Sequence, residues 1–128
     1  MTEQSEAETF FREGCELESD LRVSLTFEYY TKAANLGHVE AMYRLGGIYR
    51  SFRKYPPAIE WYTKAANLGH VTAMFVLGYI YEKHGNIPLA IEWYEKAAKL
   101  GHQYSIDGIN RLKNMDLLDS IADLGKCL

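Results

Sequence analysis

A 32-residue repeat is the feature of this sequence that most constrains its fold. The segment FEYYTKAANLGH at Phe27–His38 recurs as IEWYTKAANLGH at Ile59–His70 and as IEWYEKAAKLGH at Ile91–His102. A second block follows the Gly-His pair and is clearest at Ala41–Tyr49 and Ala73–Tyr81. Self-similarity at this period is typical of stacked supersecondary units, each too thin to bury its own hydrophobic face.

Weaker copies extend the repeat toward both ends of the chain. Shifted back by 32 residues, the second block falls on Phe10, Gly14 and Leu17; shifted forward, it falls on Ser105–Lys113, where its last small and aromatic positions are polar. We therefore expect one repeat domain over residues 1–128, with units at about 6–38, 39–70 and 71–102 and C-terminal capping helices at 103–124.

Both blocks have the apolar spacing of amphipathic helices. Ala41, Leu45 and Ile48 fall on one face of a 3.6-residue period, and the other block carries a similarly wide apolar stripe. Glycines at 37, 69 and 101 occupy positions just after a predicted helix, where glycine is favoured. Pro56 and Pro88 fall at the first turn of a predicted helix, and Asn86 is a candidate N-cap. The pattern predicts helices at about 6–18, 25–36, 39–51, 57–68, 71–83, 88–100, 103–114 and 117–124.

Small and aromatic residues alternate in a way that favours close packing of these helices. Alanine pairs and glycines provide small surfaces, and aromatic side chains can fill the space opposite them. The small residues are Ala33, Ala34, Ala65, Ala66, Ala97, Ala98, Gly14, Gly46 and Gly78.

The string WYxKAAxLGHxxAMxxLGxIY at residues 61–81 resembles the SEL-1-like repeat (SLR), a relative of the tetratricopeptide repeat (TPR). The resemblance covers nearly the whole chain in about three and a half copies. It implies an all-α fold, a short right-handed α-solenoid of antiparallel helix pairs. Two features depart from the family: the period is shorter than usual, and Ser51–Pro57 and Glu82–Pro88 replace its Gly-x-Gly-Val loop, which leaves the superhelical pitch open.

The resemblance also implies a non-catalytic adaptor or scaffold that binds other proteins along a concave surface formed by the first helix of each pair. Helical geometry gives an independent prediction of that surface, because Glu40, Tyr43 and Arg50 lie on a strip that points away from the core of their own pair. Equivalent positions and their neighbours give the partner-binding candidates Phe11, Glu40, Tyr43, Arg50, Phe75, Tyr79, Glu82, Tyr104 and Arg111.

Phe11, Tyr43 and Phe75 are predicted to form a row of interface aromatics on this strip, although curvature of the solenoid could instead make them core residues. If they belong to the interface, replacing Tyr43 and Phe75 with Ser should abolish partner capture and leave the melting temperature nearly unchanged. The acidic excess of the strip favours a partner segment with basic residues beside an apolar anchor.

Charge and composition argue against several other partners. A formal net charge of −3 does not suit nonspecific binding to nucleic acid, and no apolar run approaches the ~20 residues that a membrane-spanning helix requires. The polar, acidic start lacks the features of a secretory signal, and the separated Cys15 and Cys127 suit free thiols, so we expect a cytoplasmic protein.

Catalytic, metal and cofactor sites receive little support. His38, His70 and His102 are interpreted as turn residues, because equivalent positions in successive units are too far apart to share one metal ion. Cys15 lies on the candidate strip, but no histidine base is assigned to it. We therefore expect no enzyme activity, no metal and no cofactor.

Three classes of function remain open at this point. The favoured class is a protein- or peptide-binding module, of which an immunity-type inhibitor of a secreted bacterial toxin would be a subtype. The second is a self-assembling structural unit, and the third and least favoured is a small hydrolase. A monomer or a weak homodimer is expected.

Overall fold

The computed structural model describes residues 3–19 and 23–126. These residues form seven α-helices and no strand, which confirms the all-α prediction. The helices are α1 (Glu3–Ser19), α2 (Val23–Asn35), α3 (Val39–Ser51), α4 (Tyr55–Asn67), α5 (Val71–Lys83), α6 (Ile87–Lys99) and α7 (Gln103–Lys126). Within the described ranges, none of them combines the length and apolar character needed to cross a bilayer.

The first six predicted helices lie within three residues of the observed ones at either end. The prediction for the last two is wrong, because 103–114 and 117–124 belong to one continuous helix, α7. The residues between them, Met115 and Asp116, include neither Gly nor Pro, so the chain has no local reason to leave the helix there. Asn110 and Lys113 are both exposed, so their polar side chains face solvent and do not mark the end of a helix.

The turns between helices follow the predicted glycine and proline chemistry. Gly37, Gly69 and Gly101 have φ angles of 90°, 95° and 85°, the left-handed conformation that ends a helix at little cost only for glycine. Proline occupies the first turns of α4 and α6. Asn86 caps α6, with its side-chain oxygen accepting the Leu89 N–H at 3.3 Å.

The turn between α3 and α4 departs from the glycine pattern. Arg53 has a φ of 59° at the position where, 32 residues later, Gly85 has a φ of 82°. A side chain with a Cβ in this conformation costs roughly 1–2 kcal/mol. The α3–α4 turn is therefore more strained than the α5–α6 turn.

Two compact units divide the chain, Met1–Ala73 and Met74–Leu128, with the boundary in the first turn of α5. In the first unit, α1 packs on α2, α2 on α3 and α3 on α4. Buried tyrosines lie directly over helical glycines: a Cβ on Gly14 would meet the ring of Tyr30 at 2.6 Å, and one on Gly46 would meet Tyr62 at 3.0 Å. Because glycine has no side chain, the paired helices can approach each other closely at these positions.

The second unit uses the same device around Tyr94. A Cβ on Gly78 of α5 would lie 2.5 Å from the Tyr94 ring, and Gly108 of α7 faces the other side of that ring. Tyr94, Ala90 and Leu112 form a buried cluster, against which partly buried apolar side chains of α5, α6 and α7 pack. Beyond Leu112, four large apolar side chains of α7 are more than half exposed: Met115, Leu117, Leu118 and Ile121.

Candidate protein-binding site

In the first unit, the candidate aromatics Phe11 and Tyr43 are half-buried and pack against histidines. The Phe11 ring stacks on His38 with centroids 4.4 Å apart, and the Tyr43 ring stacks on His70 at 4.5 Å. Each also contacts a buried tyrosine of the paired helix, Tyr30 or Tyr62 respectively. One side of each ring is therefore engaged within the fold.

These contacts argue against the expectation that a Tyr43 and Phe75 double substitution would leave the melting temperature nearly unchanged. In the second unit, Phe75 packs on Tyr94 with centroids 5.8 Å apart and on His102 at 4.9 Å. Removing aromatic rings in such contacts costs packing free energy in addition to any loss of binding. Variants at more exposed positions give a cleaner test of partner binding.

The repeated histidines have a structural role that the sequence analysis missed. His38 caps α3, with Nδ1 accepting the Ala41 N–H at 3.1 Å, and His70 Nδ1 likewise accepts the Ala73 N–H at 3.0 Å. Because Nδ1 is the acceptor, the ring proton resides on Nε2. The Nε2 atom of His38 lies 3.3 Å from the Glu8 carboxylate, and that of His70 lies 2.7 Å from the Glu40 carboxylate. The spacing of 30 residues between each Glu and its His was the available signal.

His102 makes a variant of this cap in the second unit. Its Nδ1 lies 3.3 Å from the Ser105 N–H and 2.9 Å from the Ser105 hydroxyl. The glutamate of the earlier copies is replaced by Thr72 in the sequence. Within the described ranges, no three His, Cys, Asp or Glu side chains are grouped so that they could hold a metal ion.

The remaining first-unit candidates are a paired glutamate and an exposed arginine. Glu40 accepts a hydrogen bond from Arg44 Nε at 3.3 Å in addition to its contact with His70. Arg50 is exposed near the end of α3. Cys15 is half-buried, and its Sγ accepts a hydrogen bond from the Tyr30 hydroxyl at 3.5 Å; Cys127 lies outside the described residues.

The second unit brings five candidates together on two neighbouring helices. Phe75, Tyr79 and Glu82 follow one another along one side of α5, while Tyr104 and Arg111 lie two turns apart on α7. We call these five residues the α5–α7 face. Tyr104 is 72% exposed and Tyr79 is 43% exposed, and the Phe75 and Tyr104 ring centroids are 6.3 Å apart. Aromatic side chains this accessible are available to a partner.

Glu82 and Arg111, which the sequence suggested as independent contacts, form one ion pair. Arg111 Nη1 donates to Glu82 Oε2 at 2.6 Å, and Nη2 donates to Oε1 at 2.8 Å. The buried Tyr94 hydroxyl donates to the same Oε1 at 2.9 Å. This pair links α5 to α7 and fixes the orientation of the guanidinium.

The ion pair also changes the protonation of its members. Hydrogen bonds from Arg111 hold the pKa of the Glu82 carboxyl below its usual value, although burial opposes this shift. The same hydrogen bonds raise the pKa of the Arg111 guanidinium. Burial, with a further contribution from the Glu82 hydrogen bond, raises the pKa of Tyr94, and burial raises the pKa of Tyr62 to about 12. None of these groups is poised to exchange a proton near pH 7.

Comparison with known proteins identifies the repeat. The Sel1 repeat family model matches residues 23–38, 39–70 and 71–102. No significantly similar sequence was found among curated proteins.

Solved structures of similar fold include two bacterial repeat proteins. One is a protective antigen of uropathogenic Escherichia coli strains with an SLR fold. Its sequence is 30% identical to this chain, the TM-score is 0.74, and the match covers 82% of this chain and 25% of that one. The other is a Sel1 repeat protein from Oxalobacter formigenes, 26% identical with a TM-score of 0.74, where it covers 83% of this chain and 49% of that one. This chain thus spans a quarter to a half of their lengths.

A third structure shares the fold alone. The N-terminal domain of stress-induced protein-1 from C. elegans is 15% identical with a TM-score of 0.74, and the match covers 88% of this chain and 98% of that domain. These neighbours confirm the predicted SLR- and TPR-like solenoid class. The chain belongs to the Sel1 repeat family.

Proposed function

We propose that this protein is a non-catalytic adaptor that binds a protein or peptide partner through the first helix of each pair, with the α5–α7 face as the principal contact. Sel1 and TPR-like repeat proteins generally mediate protein–protein interactions. The observation that carries the proposal is the exposure of Tyr79 on α5 and of Tyr104 and Arg111 on α7, since Tyr and Arg dominate binding hot spots.

The arrangement of the other candidate groups supports a binding role over a hydrolytic one. Cys15 contacts a tyrosine hydroxyl, which is a poor general base at neutral pH. His38 and His70 use Nδ1 to cap helices, so their rings are committed to the fold. The free Cys15 thiol is compatible with the cytoplasmic location that we propose for this adaptor.

Affinity capture from a native lysate tests the proposal. The double variant Tyr79→Ser and Tyr104→Ser should lose captured protein at least about tenfold, because it removes two exposed aromatic contacts. Its melting temperature should stay close to that of the wild type, since both rings are substantially exposed.

Phe52→Ser is the matched control for this experiment. Phe52 is 61% exposed at the end of α3, outside the α5–α7 face, so its loss should leave capture unchanged. Equal capture by the wild type and the Tyr79 and Tyr104 variant, or loss of capture with Phe52→Ser alone, would rule out the α5–α7 face as the principal contact.

Self-association is a second candidate function, favoured by the outer half of α7. Its described apolar side chains are 52% to 64% exposed over only seven residues, 115–121. Helical segments in proteins gain most of their stability from the packing of an apolar face, and the same segment of a second copy would provide such packing for residues 115–121.

A further inference from the structure

We propose that the α5–α7 face binds an uncharged segment whose aromatic side chain stacks on the guanidinium of Arg111. This inference rests on the proposed adaptor function and names the chemistry of the partner. It replaces the expectation of a basic partner that the acidic excess of the strip favoured, because Glu82 and Arg111 on this face are paired with each other.

Glu82 offers little to a basic partner. Its carboxylate already accepts three hydrogen bonds, two from Arg111 and one from Tyr94, out of roughly four that a carboxylate can accept. The side chain is only 13% exposed. An incoming Lys or Arg would have to displace Arg111 from a two-point interaction, and would leave the displaced guanidinium beside a second cation.

Arg111 likewise gains little from an acidic partner. A partner carboxylate bound to Arg111 would approach the negative charge of Glu82, which is held within 2.8 Å of the guanidinium. The neighbouring charges also offset one another, because Lys83 on α5 and Asp107 on α7 have opposite signs. The formal charges of Glu82, Arg111, Lys83 and Asp107 sum to zero, so these four residues favour neither sign of partner.

Glu82 does not use the planar faces of the Arg111 guanidinium, which leaves a third kind of contact to consider. The hydrogen bonds to Glu82 lie in the guanidinium plane, and the Arg111 side chain is 51% exposed. A bound and oriented guanidinium loses little conformational entropy when an aromatic ring stacks on it. The exposed rings of Tyr79 and Tyr104 lie nearer the N-terminal ends of α5 and α7 than Arg111 does, and they can contact apolar side chains of the same partner segment.

Selection from a displayed library of random peptides tests this chemistry. Peptides enriched on the wild type should carry at least one Phe, Tyr or Trp and show no bias in net charge. Their enrichment should fall at least about tenfold on Arg111→Lys, which keeps the charge but removes the planar group. It should also fall on Tyr104→Ser, whose side chain is too exposed for its loss to disturb the fold. Lys113→Gln, which removes an exposed cation from the same helix, should leave enrichment unchanged.

Salt dependence gives a second and independent readout. The dissociation constant of the best peptide should change less than about twofold between roughly 50 and 500 mM NaCl, because no net charge is matched across the contact. Enrichment of acidic or basic peptides with strongly salt-dependent affinity, or retained binding by Arg111→Lys, would overturn the stacking inference while leaving the adaptor function standing. If no peptide is enriched on the wild type, the stacking inference fails, whereas the adaptor function is decided separately by the capture experiment with the Tyr79 and Tyr104 double variant.

Discussion

At the scale of single residues, the close approach of paired helices depends on glycines that face buried tyrosine rings. Tyr30, Tyr62 and Tyr94 are at most 2% exposed and have no room to move away from an added methyl group. Gly47 differs from these contact glycines although it also lies inside a helix, since a Cβ there would meet only the Tyr62 hydroxyl, at 3.5 Å. Two kinds of helical glycine therefore coexist in this sequence.

The two kinds of glycine should respond oppositely to alanine. Gly78→Ala should lower the free energy of unfolding by about 1–3 kcal/mol, because its Cβ would overlap the Tyr94 ring. Gly47→Ala should raise that free energy by roughly 0.5–1 kcal/mol through helix propensity alone. Urea unfolding measures both, and a stabilising Gly78→Ala would mean that the α5–α6 contact is looser than described.

At the scale of elements, the bidentate pair between Glu82 and Arg111 fastens α7 to α5. These residues are 29 positions apart and lie on different helices, so the pair depends on how the two helices pack. Exposed pairs within one helix, such as Glu92 and Lys96, differ because they add only a few tenths of a kcal/mol. Glu82 is the acidic residue through which we expect pH to act on this unit.

The contribution of Glu82 to stability should be lost in acid. Its pKa is lower in the folded state than its ordinary value of 4.5, so the added stability is present above that pH and declines as the pH falls through the folded-state pKa. Glu82→Gln should lower the free energy of unfolding at neutral pH by about 1–2 kcal/mol, and this difference should shrink as the pH falls below 4.5.

Thermal unfolding as a function of pH measures this effect. Glu92→Gln is the matched control, because its exposed pair with Lys96 should give a small difference at every pH. A Glu82→Gln difference that persists unchanged at about pH 3 would contradict the linkage.

At the scale of the whole molecule, the outer half of α7 is the part least accounted for by internal packing. Helices α2 to α6 each bury an apolar face, whereas Met115, Leu117, Leu118 and Ile121 of α7 are exposed. Exposed apolar residues in such a cluster mark association surfaces.

Self-association through this segment predicts a mass that rises with protein concentration. The double substitution Leu118→Ser and Ile121→Ser should return the protein to a monomer without lowering its melting temperature, since both side chains are more than half exposed. Leu100→Ser, an equally exposed leucine outside α7, should have no effect. Sedimentation velocity over a wide concentration range measures the mass, and a constant monomer mass for the wild type would exclude this candidate.

The sequence by itself determined the all-α class, the repeat family and the positions of six helices. Those features are encoded locally, in apolar periodicity, in glycines such as Gly37 that take positive φ, and in prolines of the first turns. The same local rules also identified Tyr79 and Tyr104 as surface candidates, because helical geometry alone places them on the outward strip.

Only the tertiary structure decided which side chains meet across helices. It placed His38 beside Glu8 and His70 beside Glu40, and it joined Glu82 to Arg111 in a two-point ion pair. Periodicity specifies which side of a helix a residue lies on but not what faces it. That partner depends on the rotation and shift of one helix against the next, and these are set by packing around buried tyrosines such as Tyr94.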